Sequence, residues 1–416
     1  MNALQRWIPV VTGAVCVVLS AGCIQNRASL DSRLKPTVKT TRLHREAACQ
    51  SVPAADVSFS TVFQLNGTTG NRCEQPLVKG TGGWFYGTTE LGGQNGGGAI
   101  FGFKLSANTV PILLHSFPYG SYPVGGLMFA DNKLYGVTSA RNLGSDIPGQ
   151  VFEFTPSTRG FRTLHTFPVG TGPTGVILGP WNSLFVTTQF GGDNKVGTIL
   201  RMGRSSGKVF WPYSFEKLSA QREPVGRLLR HNGFLYGTGY GGGGGGVFRI
   251  GEDGRNFTPL VEFDSQSGGS PYTGIITGGD GFFYGATYEY GPGGAGAIYR
   301  FPIKQPHPTK LMKAEVLFTF DDKHCGGYPM GDLLRVGSAI YGTALRGGEN
   351  GRGVVFRITK GKHYELVHLF TSKDGNSPRA ALIHGGNNML YGTTAANSVG
   401  GGGTVYAIKL NRESRR

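Results

Sequence analysis

Phe234-Leu235-Tyr236-Gly237-Thr238 sits between the turn His231-Asn232-Gly233 and the glycine run Gly241 to Gly246. It reads as a short β-strand closed at both ends by turn residues. Its motif, apolar residue, aromatic, glycine and threonine, returns with variants six more times. The copies are Phe85-Tyr86-Gly87-Thr88, Leu134-Tyr135-Gly136-Val137, Leu184-Phe185-Val186-Thr187, Phe283-Tyr284-Gly285-Ala286, Ile340-Tyr341-Gly342-Thr343 and Leu390-Tyr391-Gly392-Thr393. The aromatic positions 86, 135, 185, 236, 284, 341 and 391 are spaced by 49, 50, 51, 48, 57 and 50 residues. The one long step holds an insertion, Lys304 to Lys313, rich in proline and lysine. A constant period near fifty marks a repeat architecture, which displaces the multi-domain reading that a length of 416 residues alone would suggest.

Working outward from Tyr236, the unit holds four β signals. Pro224 to Leu229 reads as a first strand and Phe234 to Thr238 as a second. Val247 to Ile250 reads as a third, and Phe257 to Phe263 contains a fourth. Four short antiparallel strands at this period predict a propeller blade. The ends settle the count. The seventh unit stops after its third strand, Thr404 to Leu410, while an unclaimed strand, Phe59 to Leu65, precedes the first unit. The expectation is therefore an all-β, seven-bladed propeller of four-stranded antiparallel blades over residues 57–410. Its N-terminal strand completes the last blade, so that no sheet edge is left open.

The sequence Y-G-T-T, a glycine-rich loop, G-T-V-F, L-x-x-F and P-x-x-G-L is carried best by Leu390 to Thr394, Gly403 to Val405, Leu114 to Phe117 and Pro329 to Leu334. It resembles the bacterial GloVer tandem repeats found in choice-of-anchor surface proteins. The resemblance covers Phe59 to Leu410 and is weakest in the third unit, where Phe185-Val186 replaces Tyr-Gly. It implies a repeat fold and export, and brings no catalytic residues with it.

Export is also read from the N-terminus. Arg6 precedes an apolar stretch, Trp7 to Leu19, too short to span a bilayer. Residues 1–22 are expected to be a signal peptide. Leu19-Ser20-Ala21-Gly22-Cys23 resembles the lipobox of bacterial lipoproteins, with Ser20 where that motif usually has leucine. The resemblance implies a lipid on Cys23, a membrane partner through that anchor, and residence at the outer membrane or cell surface, since Ile24 rather than aspartate follows. Residues 23–56 read as a basic flexible linker, and 411–416 as a basic tail. In an oxidising compartment Cys49 and Cys73 could pair and staple the linker to the propeller, leaving Cys325 free.

Chemistry is sparse. There is no H-E-x-x-H, C-x-x-C, G-x-S-x-G or phosphate loop, so no catalytic residue, cofactor or metal site is expected. His115, His165 and His368 recur at one repeat position, which marks them as structural. The innermost strand carries mostly small residues at its channel position (Pro76, Gly126, Val176, Arg227, Gly274, Asp332 and Ala381). Arg227 and Asp332, with nearby Arg379, are the candidate ligand-facing residues. A net charge of +16 favours an anionic partner. The expected function is a monomeric, envelope-anchored, non-catalytic binding or scaffold module whose partner is an anionic glycan or an envelope protein, met on the inter-blade face. The competing expectation is an envelope polysaccharide lyase or glycosidase acting on a polyanionic saccharide. Export and the lack of a basic recognition motif argue against nucleic acid.

Overall fold

The computed structural model describes residues 56–106, 108–139, 146–304, 310–323, 325–348, 351–359, 362–396 and 401–411. The expected signal peptide, Cys23, nearly all of the linker and the tail beyond residue 411 lie outside these residues.

The chain forms seven four-stranded antiparallel sheets. Each is a blade, with strands A to D running from the channel outward. Blade 4 is Leu229–His231, Phe234–Gly239, Gly246–Gly251 and Thr258–Glu262. Blade 7 is Ile383–Gly386, Met389–Thr393 and Thr404–Leu410, completed by Val57–Gln64. The closing strand pairs from Val57 opposite Leu410 to Gln64 opposite Thr404, with a bulge after Thr61. It is held further by Arg357 of blade 6, which binds both carboxylate oxygens of Asp56 at 2.8 and 3.0 Å.

Seven hydrophobic clusters form the core, one at each seam between neighbouring blades. A single blade has no partner for its apolar face, so closing the ring is what buries it.

The recurring glycine has a steric cause. In six blades a Cβ at this position would lie only 2.3–2.5 Å from the aromatic ring, or its hydroxyl, facing it on strand C. The partners are Phe101, Phe152, Phe248, Tyr299, Phe356 and Tyr406, each directly opposite its glycine in the strand register. In blade 3 the glycine is Val186, and the residue opposite is Leu200. The two sites exchange volume together, as close packing demands.

Two expectations are corrected. The first strand of blade 4 does not span Pro224 to Leu229, because its ladder begins at Leu229. Proline lacks a donor. The backbone near Gly226 also turns against the next blade, where a Cβ would meet the Thr273 oxygen at 2.6 Å. Nor does Cys73 pair with Cys49. Cys73 is a free, buried thiol in the seam cluster with Phe63, Leu65 and Phe85. Its Sγ donates to the Thr88 carbonyl at 3.4 Å, and burial pushes the thiol up to about 12. Cys325 is the disulfide-bonded cysteine, and its partner lies outside the described residues.

Candidate functional site

The inter-blade loops reach strand A on the face where strand B also ends. One hydrogen bond ties the two together in all seven blades. The N–H after strand B (Glu90, Ser139, Gln189, Tyr240, Tyr288, Leu345, Ala395) donates to the carbonyl just before strand A's lead (Arg72, Tyr122, Gly172, Glu223, Ser270, Tyr328, Ser377) at 2.8–3.3 Å. Most of these acceptors have left-handed backbone, including Tyr328 at φ 58°. These fourteen positions, with the residue after each lead position, ring the channel mouth. The backbone there is regular while the side chains differ from blade to blade.

The three candidate residues separate into two places. Arg227 and Asp332 occupy the same repeat position on blades 4 and 6. Arg227 is exposed, and Asp332 is half-buried. Asp332 Oδ1 accepts the Gly274 N–H at 2.6 Å. Burial raises its carboxyl above the usual range, while that hydrogen bond and the Arg227 charge oppose the shift. The sequence accounts for this contact. The threonine of Tyr-Gly-Thr bridges to the next blade at three seams, Thr238 to the Thr273 carbonyl, Thr343 to that of Ala380 and Thr393 to that of Gln75. Blade 5 has Ala286 instead, and Asp332 reaches back from blade 6 to join that seam. Asp332 is therefore a structural tie.

Arg379 stands at the mouth itself. Its Nη1 lies 3.3 Å from Glu74 Oε2, and Glu74 also pairs with Arg72. Arg72 in turn meets Glu90 at 3.2 Å. Two carboxylates and two guanidinium groups thus alternate along the arc of blades 7 and 1.

The opposite arc was not foreseen in the sequence. Tyr240, Tyr272, Tyr288 and Tyr328 form a continuous chain of ring contacts, with centroids 5.3, 5.1 and 5.1 Å apart. All four are half-buried. Arg346 lies over Tyr328 at 5.5 Å. Burial raises the Tyr288 hydroxyl, and the charges of Arg379 and Arg346 pull it back. The Arg379 charge thus pairs with Glu74 in one arc and acts on Tyr288 in the other.

The expected structural histidines lie on strand D of their blades. His115 stacks on Phe161 at 4.3 Å, and His368 stacks on Phe59 at 3.5 Å while pairing with Asp374 at 2.9 Å. Among the described residues no group of three or more His, Cys, Asp or Glu is placed to hold a metal ion.

The Gloeobacter/Verrucomicrobia repeat model matches residues 50–175, 140–338 and 307–416. The chain belongs to that family. No curated protein matches it. Among solved structures, this family member is similar to BamB from Moraxella catarrhalis, with TM-score 0.50, 12% identity, and 85% of this chain and 98% of that one covered. It is also similar to an oligogalacturonate lyase in complex with manganese, with TM-score 0.51, 11% identity, and 88% and 98% coverage. At these identities the likeness is one of fold.

Proposed function

We propose that this chain is an exported, lipid-anchored binding module that holds a glycan against the tyrosine arc of its inter-blade face. The carrying observation is the chain of four tyrosines, with Arg346 over Tyr328 and the charge of Arg379 acting on Tyr288. Half-exposed aromatic rings present flat apolar area at little entropic cost, with a hydroxyl at the edge for polar contacts. Arg346 and Arg379 supply the means to read an acidic group on the sugar, each exchanging a protein carboxylate for a ligand one. Such exchange favours modest, salt-sensitive affinity. Anchoring through Cys23 rests on the lipobox resemblance, and Cys23→Ser is expected to release the chain from membranes.

A glycan array probed at low and high ionic strength tests the reading. Tyr272→Ala with Tyr288→Ala is expected to abolish binding, and Arg379→Gln to remove only its preference for acidic sugars. Binding that survives the double tyrosine variant overturns it. The lyase reading draws on Glu74 and Glu90, two carboxylates at one mouth. Both are engaged with Arg72, which leaves neither placed as a free acid or base. Release of unsaturated sugar from a polyuronate by the wild type, lost in Glu74→Gln, would establish catalysis instead.

A further inference from the structure

The opposite face carries the turns between strands A and B and between strands C and D. Backbone hydrogen bonds hold the two sets together, such as Arg204 N to Asn182 O at 3.0 Å and Leu410 N to Asn388 O at 2.8 Å. The A–B turns are tight, with left-handed residues in the middle. They use the small or polar residues that conformation favours: Gly82-Gly83, Asp131-Asn132, Asn232-Gly233 and Asn387-Asn388. Blade 3 breaks the pattern. Its turn is Trp181-Asn182, with φ 47° and 54°. A bulky aromatic in this region is strained. Trp181 gains no burial in return, because it is 83% exposed. Folding therefore does not account for it.

Its surroundings are apolar and basic. Phe210 and Leu178 of the same blade are also exposed. The Arg201 guanidinium lies between the two aromatic rings, 4.9 Å from Trp181 and 5.8 Å from Phe210. Arg204, Arg162, Lys208, Arg159 and Lys133 lie toward the same face of blades 2 and 3, against Asp131 and Glu153 among the described residues, and three of them pair with those carboxylates. On the mouth face of the same blades the described bases and acids come close to balance: Lys195, Lys217 and Arg222 against Asp146, Asp193, Glu216 and Glu223. Among the described residues of these two blades, the basic excess thus sits away from the mouth.

We propose that this face docks on an anionic phospholipid surface, with the Trp181 indole inserted at the headgroup level and the flanking arginines over lipid phosphates. Tryptophan beside basic residues suits a membrane interface, where one end of the ring is apolar and the other wet. Each basic side chain near an anionic bilayer adds attraction that salt weakens. This inference is independent of what the mouth binds. The chemistry of the face selects the orientation.

The test uses the full chain incorporated into vesicles of phosphatidylglycerol or of phosphatidylcholine, each containing lipid brominated near the glycerol. Tryptophan quenching is expected to be at least twofold stronger in phosphatidylglycerol and to fall in high salt. Trp181→Asn is expected to remove that difference while keeping or raising Tm, since asparagine suits the turn. Arg201→Gln with Arg204→Gln should weaken it. Background from Trp84 and Trp211 cancels between the wild type and Trp181→Asn. Equal quenching in both lipids, or quenching retained in Trp181→Asn, overturns the proposal. Loss of lipid on Cys23 does not affect this readout, whereas it defeats the anchoring reading.

Discussion

Two sets of repeat positions behave in opposite ways. At the seat between strands B and C, six blades place glycine under an aromatic ring, and the seventh substitutes Val186 and Leu200 together. At the mouth, three residues further along, the same blades present Glu90, Ser139, Gln189, Tyr240, Tyr288, Leu345 and Ala395 on an unchanging hydrogen bond. The seat is constrained by neighbours on both sides. The mouth side chains share only their backbone geometry and differ in size and charge from blade to blade. Agreement between blades therefore reports packing, and divergence reports where a partner can be read.

The largest effect should come from breaking the ring that both sets depend on. Deleting 56–65 removes strand D of blade 7, its ladder with Thr404–Leu410 and the Arg357–Asp56 pair. The edge of the last blade is then open, and the core between blades 6 and 7 loses Val57 and Phe59. Aggregation or loss of a single cooperative melting transition is expected in thermal scans. A variant that melts like the wild type would mean that the closing strand is dispensable.

The seat itself can be broken in one blade and remade in another. Gly237→Ala places a methyl 2.4 Å from Phe248 Cζ and 2.8 Å from Leu228 Cδ2. Overpacking of this kind costs about 3 kcal/mol. In blade 3 the reverse substitution, Val186→Gly, opens a cavity at a fully buried site and costs about 2 kcal/mol. Adding Leu200→Phe to Val186→Gly should recover most of that loss. Chemical denaturation of Val186→Gly, Leu200→Phe and the double variant measures the coupling, and strictly additive effects would refute the exchange of volume.

Much of this was legible before any coordinates. The period, the strand order and the closing strand follow from patterns local to each unit, and the register of Thr404–Leu410 agrees with the reading to the residue. The tyrosine arc was not legible. Tyr240 and Tyr288 follow strand B, Tyr272 lies within the lead of strand A and Tyr328 precedes it, so the four are spread over three different repeat positions. They meet only once the ring is closed. Asp332 misled for a related reason. It is a rare charge on the innermost strand, but its cause lies in a different blade, in the Ala286 that replaces threonine. Cys73 misled because cysteine spacing says nothing of burial.

Asp332 gives a smaller effect with a definite sign. Its carboxyl is raised by burial. The stability it contributes is full below the ordinary carboxylate range and is lost as pH rises through the raised value. Asp332→Asn keeps an acceptor for the Gly274 N–H without the charge, so it should match or exceed the wild type at pH 7 and lose this pH dependence. Asp332→Ala leaves that N–H unpaired and should cost about 2 kcal/mol. Denaturant midpoints between pH 4 and pH 8 check both. An alanine variant as stable as the asparagine one would remove the seam-tie role and return Asp332 to the list of ligand-facing residues.

The smallest effect on stability should come from the mouth. Tyr272 and Tyr288 are half-buried and touch mainly each other and their neighbours in the arc. Tyr288→Phe keeps the ring and removes only the hydroxyl, on which the charges of Arg379 and Arg346 act. Its stability should change by less than about 0.5 kcal/mol, the usual range for substitutions away from packed or paired groups. Tyr288→Ala loses ring contacts on both sides and should cost about 1 kcal/mol. Gly237→Ala removes no mouth side chain, yet it should cost about three times as much. If the comparison between seat and mouth is sound, stability and glycan binding will rank these variants in opposite orders. Gly237→Ala would melt early and bind normally below its transition, while Tyr288→Ala would melt late and fail to bind. A single ranking shared by both measurements would mean that the tyrosines are core residues like any other, and that the partner is met elsewhere on the ring.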